Sequence, residues 1–194
     1  MDPLRAVLDA YEPRDGDDTH DLARVSAVVD DGDAWSRDRA LHVTASALVV
    51  HAASRRVLLR WHARTECWLQ VGGHGDPGET DPWAIALREA HEETGLTDLG
   101  PLTPALGGRP VQIVVVPVPA GRGEPAHEHA DLRYLLATAH PEGVRPESAD
   151  ATVRWFSFAE ARARVTEANL HELLDRAEHE LDAATGTADT QVLT

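Results

Sequence analysis

The chain has 194 residues, 42% of them hydrophobic, enough for one domain with a sizeable core and an extension. Its formal net charge of −15 excludes a non-specific nucleic-acid binder, which needs a basic footprint. The single cysteine, Cys67, excludes an intramolecular disulfide framework and a Cys-based zinc site. In chain order, Leu4, Val7, Leu8 and Tyr11 recur at helical spacing, and so do Leu22, Val25, Val28 and Val29. Asp15 to Asp18 and Asp30 to Asp33 are polar breaks between them. These patterns predict a helical extension over 1–37.

His42 to Val50 and Arg56 to Trp61 are apolar and β-branched, as strands are, with a turn over Ala52 to Arg55. Trp68 to Val71 is expected as a short strand feeding a glycine-rich loop. Asp81 suits the N-cap of the next helix, with Pro82 at its first position, and Gly95 stands where a helix-ending glycine belongs. Val111 to Val118 predicts a buried strand, Gly121 to Ala130 a polar loop, Asp131 to Ala139 another strand and Val153 to Phe158 a last short one. Leu170, Leu173, Leu174, Ala177 and Leu181 form one stripe of an amphipathic helix over Thr166 to Leu181. The division expected is an extension over 1–37, a domain over 38–184 and a flexible tail over 185–194. Strands mixed with a few helices give an α/β class chain, an α/β/α sandwich around a mixed β-sheet.

The helix after the glycine loop carries Arg88, Glu89, Glu92 and Glu93, and glutamates at i, i+3 and i+4 share one face. Two unit charges about 6 Å apart repel by roughly 0.7 kcal/mol in water and about 3 kcal/mol at an effective dielectric near 20. They also stand near the helix C-terminus, where the macrodipole disfavours anions. Helix stability does not explain that placement. A divalent cation does, because Mg²⁺ takes carboxylate oxygens and bridges phosphates.

Residues 72–96 resemble the Nudix box, G-x5-E-x7-R-E-U-x-E-E-x-G-U with U aliphatic. Gly73 and Glu79 fit its opening, and Arg88, Glu89, Ala90, Glu92, Glu93, Gly95 and Leu96 fit its close. One departure is visible: eight residues, not seven, separate Glu79 from Arg88. A loop absorbs an insertion more easily than a helix, so a longer turn around Thr80 to Pro82 is expected, and the role of Glu79 is what the departure puts in question. The segments His42-Val-Thr-Ala-Ser-Ala, Trp68-Leu-Gln, His129-Ala-Asp-Leu-Arg-Tyr and Val153-Arg-Trp-Phe are similar to flanking strands of Nudix proteins whose box opens Gly-Gly-His. The resemblance thus covers roughly 40–160 and implies the same sandwich.

It also implies a metal-dependent hydrolase that cleaves a diphosphate linkage in a nucleoside diphosphate joined to another group, with Mg²⁺ or Mn²⁺ as cofactor. The family's metal positions fall on Glu92, Glu93, Glu89 and the carbonyl of Gly73. Glu89 takes the place of either a metal ligand or a general base, and Arg88 that of the arginine that orients the glutamates. The competing reading of these residues is a solvated acidic face with an incidental Arg88–Glu92 pair. Nudix enzymes commonly draw another acid from outside the box, and Glu128 and Asp131 are the candidates. In an extended segment His127, His129 and Asp131 share one side and Glu128 takes the other, which favours Asp131. His74, Trp61, Arg64, His129 and Arg133 are candidate substrate contacts; Trp61 otherwise reads as a core or rim aromatic, and Arg133 as a partner for Asp131.

Two other functions stay open: a nucleotide or sugar-nucleotide sensor that does not turn its ligand over, and an RNA 5′-end pyrophosphohydrolase, which the acidic balance disfavours. The expected partner is a small phosphorylated metabolite or nucleotide rather than DNA. The start Met-Asp-Pro-Leu-Arg-Ala has no signal-peptide pattern. The run Ile113 to Val118 is too short to span a bilayer. A cytoplasmic protein without membrane contact is expected, its N-terminal helices capping the monomer or packing in a homodimer.

Overall fold

The structure, a computed structural model, describes residues 2–121, 123–148 and 150–191, with side chains as far as Thr185. Alternation along two long strands builds it. Strand β1 (Leu41–His51) runs parallel to β7 (His127–Ala137), with His42 beside His129 and Thr44 beside Asp131. Around this pair lie β2 (Arg56–His62), β3 (Cys67–Leu69), β4 (Val71–Gly73), β5 (Gly100–Pro101), β6 (Gln112–Val118) and β8 (Val153–Ser157). All the other pairings are antiparallel: β2 and β4 with β1, β3 and β8 with β2, β5 and β6 with β7. The result is a mixed sheet.

Side chains at odd and even positions of a strand go to opposite faces. On one face Val43, Ala45, Ala47, Val49, Leu132 and Leu136 are buried under three helices: α1 (Pro3–Ala10), α2 (Gly16–Asp30) and α3 (Pro82–Thr94). On the other, Leu48, Val50, Leu59 and Leu135 pack against α4 (Phe158–Arg162) and α5 (Ala168–Gln191) through Phe158, Leu170, Leu173 and Leu174. This is the expected sandwich. Each fully buried Leu or Val side chain contributes about 1.5–3 kcal/mol relative to exposure.

The N-terminal helices cover an edge. Among the described residues strand β6 pairs only with β7, so its outer backbone groups need partners. Asp21 accepts from the N–H of Val115 at 2.8 Å, and Tyr11 Oη accepts from that of Ile113 at 3.3 Å. A buried ion pair, Arg176 to Asp18 at 2.7 Å, ties α5 to α2 around that edge. It holds the Asp18 carboxyl below its usual range despite burial, which alone would raise it.

Three expectations need correction. The predicted loop 121–130 ends early, because β7 begins at His127 and its first residues pair with both β1 and β6. The predicted strand 68–71 is two strands, broken at Gln70, where the chain leaves β2 and joins β1. Phe158 is not the end of β8 but the start of α4, with Ser157 and Glu160 forming a capping box. Helix α5 continues to Gln191, and the last residues of the expected tail, 192–194, lie outside the described residues.

Candidate active site

Two glycines bring α3 close to the sheet. Asp81 caps the helix by accepting from the N–H groups of Trp83 and Ala84, Pro82 occupies the first turn, and Gly95 ends it with φ of 69°. Burial of Ile85, Ala86 and Ala90 then turns Glu89 and Glu93 towards β4. A Cβ on Gly72 would lie 2.4 Å from Ser46 Cα, and one on Gly73 2.9 Å from Glu89 Oε1. Any other residue at either position would push the strand or the carboxylate away. The N–H of Gly72 donates to Glu93 Oε2 at 3.1 Å, and Arg60 Nη1 lies 3.3 Å from Glu93 Oε1.

Arg88 gathers the rest. It donates to Glu79 at 2.9 Å, to Glu89 at 3.1 Å, to Glu92 at 2.9 Å and to the carbonyl of His74 at 3.0 Å. The extra residue before Arg88 is therefore absorbed ahead of the helix, and Glu79 still reaches the arginine. These hydrogen bonds hold Glu79 below the usual carboxylate range and Arg88 above its own. Burial acts the other way on the inner pair: it raises Glu89, and it pushes Glu93 up to about 7 against the pull of Arg60. Four carboxylates face two guanidiniums, and Arg60 is shared with Glu147 as well. The uncompensated negative charge and the all-oxygen donor set fit a hard divalent cation.

The glycine loop and Glu93 of α3 form one side of a cavity of about 1040 Å³. The other side is the polar end of β1 and β7, where His42, Thr44 and Ser46 run alongside His129, Asp131 and Arg133. Asp131 accepts from Thr44 at 3.1 Å, Ser46 at 2.8 Å, Gln70 at 3.2 Å and Arg133 at 2.8 Å. Arg133 also donates to Gln112 and Asn169. Nearer the loop, His42 Nε2 and His74 Nε2 are 3.0 Å apart, and His127 Nε2 and His129 Nε2 are 3.2 Å apart. Burial lowers His42, pushes His74 down to about 3 and pushes His129 down to about 4, with neighbouring histidines adding to the shift.

The structure thus brings Gly73, Glu89, Glu92, Glu93 and Arg88 together, and sets His74, Arg64, His129, Arg133 and Asp131 around the cavity that Gly73 and Glu93 also line. Three candidates do not join the glutamate cluster. Glu128 is on the opposite strand face and pairs with Arg24 at 2.6 Å, so it does not join the glutamates. Asp131 is buried and satisfied by four donors, which suits a bracing role better than that of a metal ligand. Trp61 alternates away from the cavity and packs edge-on against Trp68, with ring centroids 5.5 Å apart. Sequence reasoning missed His42, Ser46, Gln70 and Arg60 as site residues. The signal was present in His42-x-Thr44-x-Ser46, three polar residues at alternate positions of a strand buried on both faces.

Comparison with known proteins agrees with this fold. The NUDIX domain model matches residues 40–177. A search of curated proteins finds no significant match. Among solved structures, a NUDIX-family hydrolase from Clostridium perfringens is similar at 26% identity, covering 74% of this chain and 97% of its own, with a TM-score of 0.54. A C. elegans Ap4A hydrolase in a binary complex is similar at 20% identity, 73% and 98% coverage and a TM-score of 0.56. The E. coli dihydroneopterin triphosphate pyrophosphohydrolase shares the fold at 16% identity, 71% and 94% coverage and a TM-score of 0.52.

Proposed function

The chain belongs to the NUDIX domain family and is a pyrophosphohydrolase, and from that premise we propose that it uses Mg²⁺ or Mn²⁺ to cleave a diphosphate linkage in a nucleoside diphosphate joined to another group. The observation that carries this reading is the Arg88 clasp, one guanidinium holding Glu79, Glu89 and Glu92 opposite the backbone of Gly73. Glu89, Glu92, Glu93 and the carbonyl of Gly73 would hold the ion. A divalent ion there supplies charge neutralisation on the diphosphate and a lowered pKa for bound water.

The chain's own residues do the rest. Arg88 fixes the rotamers of three glutamates, which limits the reorganisation needed when substrate arrives. Glu93 is held by the Gly72 N–H and by Arg60. Glu89, which reaches the Gly73 backbone, takes the general-base role where it does not ligate the ion, and then accepts the proton of the water that attacks phosphorus. The P–O anhydride bond breaks as the new P–O bond forms, and each product leaves with a phosphate. Arg64 and His74 line the cavity where the phosphates and their substituent would sit. A volume just above the usual range of about 300–1,000 Å³ accommodates a nucleotide-sized ligand.

The same reading takes residues 1–37 as an extension that braces the edge of the sheet, 38–184 as the hydrolase domain and 185–194 as a tail. It also takes the protein to act in the cytoplasm on small nucleotides. Among the described residues no helix is long and apolar enough to cross a membrane. The test is a panel of diphosphate compounds incubated with Mg²⁺ or Mn²⁺, with products identified by mass. Turnover of one class, lost in Glu92→Gln, is the expected result. Tight binding with no product in a single-turnover assay would instead favour a sensor.

A further inference from the structure

Three histidines from three segments converge beside the glycine loop. His42 comes from the start of β1, His74 from the residue after β4 and His129 from β7. One ligand nitrogen from each lies within 4.8 Å of the other two. Their rings are packed together, with centroids 5.1 Å apart for His42 and His74, 5.0 Å for His42 and His129, and 4.8 Å for His74 and His129. The carboxylate clasp around Arg88 uses none of these three imidazole rings; it takes only the backbone carbonyl of His74.

We propose that His42, His74 and His129 form a second metal site, selective for a borderline transition-metal ion such as Zn²⁺ or Co²⁺ and separate from the glutamate site. Imidazole nitrogen suits Zn²⁺ and its neighbours, whereas Mg²⁺ takes oxygen. Zn–N bonds of about 2.0–2.1 Å in tetrahedral geometry separate nitrogens by about 3.3 Å. The His42–His74 contact of 3.0 Å is already close to that spacing, and the third nitrogen lies within 4.8 Å of both.

The outer partners fit as well. A ligating histidine usually donates its other N–H to a backbone carbonyl, which fixes the tautomer and aims the free nitrogen at the ion. His42 Nδ1–H donates to the carbonyl of Arg39 at 3.0 Å, so its Nε2 carries a lone pair and points at the trio. His127, though not one of the three, is held in the same way by the carbonyl of Pro125 at 2.9 Å. With neutral rings its Nε2 accepts from His129 Nε2–H at 3.2 Å, which leaves a lone pair on His129 Nδ1. In the ion-free protein His74 Nε2–H donates to His42 Nε2. On binding, the ion replaces that proton between the two nitrogens, and the proton moves to His74 Nδ1, leaving a neutral ring.

A phosphate ligand fits less well. It would want imidazolium donors, yet each Nε2-to-Nε2 contact requires one unprotonated nitrogen. Three nitrogens would leave a fourth tetrahedral position for water or a ligand oxygen, and all three histidines line the cavity.

The inference does not rest on the hydrolase reading, and its test separates the two. The full-length protein is titrated with Co²⁺ in saturating Mg²⁺, following the visible d–d bands, and the one-equivalent Zn²⁺ complex is examined by X-ray absorption. One equivalent should bind and show imidazole scattering. Affinity should fall at least tenfold in His74→Asn and His129→Asn and stay within a few-fold in Glu89→Gln and Glu92→Gln, with folding of each variant checked by circular dichroism. A shell of oxygen alone, binding that the histidine variants leave intact, or binding lost with the glutamates would overturn the proposal. The absorption measurement needs only the wild-type chain, so it decides the matter even if a variant fails to fold.

Discussion

The two sides of the cavity respond to burial in opposite ways. On the α3 side, burial raises carboxylates and brings Glu93 up to about 7. On the β1–β7 side it lowers imidazoles and brings His74 to about 3. The physical cause is the same, since low dielectric penalises whichever form is charged. The consequences differ. The acidic side keeps two arginines within reach and gathers charge that a hard cation relieves. The histidine side sheds charge and is left with lone pairs.

The largest effect should come from the acidic side. Glu92 is the most exposed of the three helix glutamates, so Glu92→Gln should fold normally and still lose about 10²–10⁴-fold in turnover. Removal of divalent metal with EDTA should do the same and be reversed by Mg²⁺. Wild-type rates in Glu92→Gln, measured by product release, would remove the difference drawn between the two sides.

The next effect belongs to the histidine side and reads stability rather than rate. Asp131→Ala strands the buried guanidinium of Arg133 and should cost about 3–5 kcal/mol in urea denaturation. Asp131→Asn, which keeps the shape, should recover part of that loss.

Metal-free stability should depend on pH with opposite signs on the two sides. His74 and His129 are depressed in the folded state, so the unfolded chain binds protons first, below about 6.5. Their contribution is present above 6.5 and is lost as pH falls through about 4 and then about 3. Glu93 is raised, so its contribution is present below about 4.5 and is lost as pH rises through about 7. Each group changes the slope by about 1.4 kcal/mol per pH unit at most within its window. Thermal melts in EDTA should show a milder acid limb in His129→Asn and a milder limb towards pH 7 in Glu93→Gln. An unchanged acid limb in His129→Asn would mean that the imidazole is not held neutral.

The smallest effect concerns Glu79. Its pair with Arg88 is partly exposed, so Glu79→Gln should barely move the melting temperature. Turnover should fall about tenfold, as expected when the support of a ligand-bearing group is removed. A wild-type rate would mean that Glu89 and Glu92 alone are enough to hold Arg88.

Much of the acidic side was legible in the chain before folding. Residues 82–94 act within one helix, so periodicity alone puts Glu89, Glu92 and Glu93 on a face, and Asp81, Pro82 and Gly95 mark its ends. The long insertion-tolerant turn was legible too, whereas the persistence of the Glu79–Arg88 pair across it was not, because turn geometry depends on what the loop packs against. The histidine side was mostly hidden. His42, His74 and His129 are far apart in sequence, and the register of β1 against β7, together with the close approach that Gly72 allows, is what joins them. Glu128 shows where local spacing stops: alternation along β7 turned its carboxylate away from Asp131, but its partner Arg24, about a hundred residues away in the chain, came only with the fold.

Local spacing, then, carried the helix, its caps, the acidic face and the class of fold, because those depend on residues within a turn or two of each other. Strand pairing decided which distant polar groups share a cavity and which of them burial leaves neutral. That information resides in long-range register and in desolvation, and both exist only once the two layers of helices have closed over the sheet.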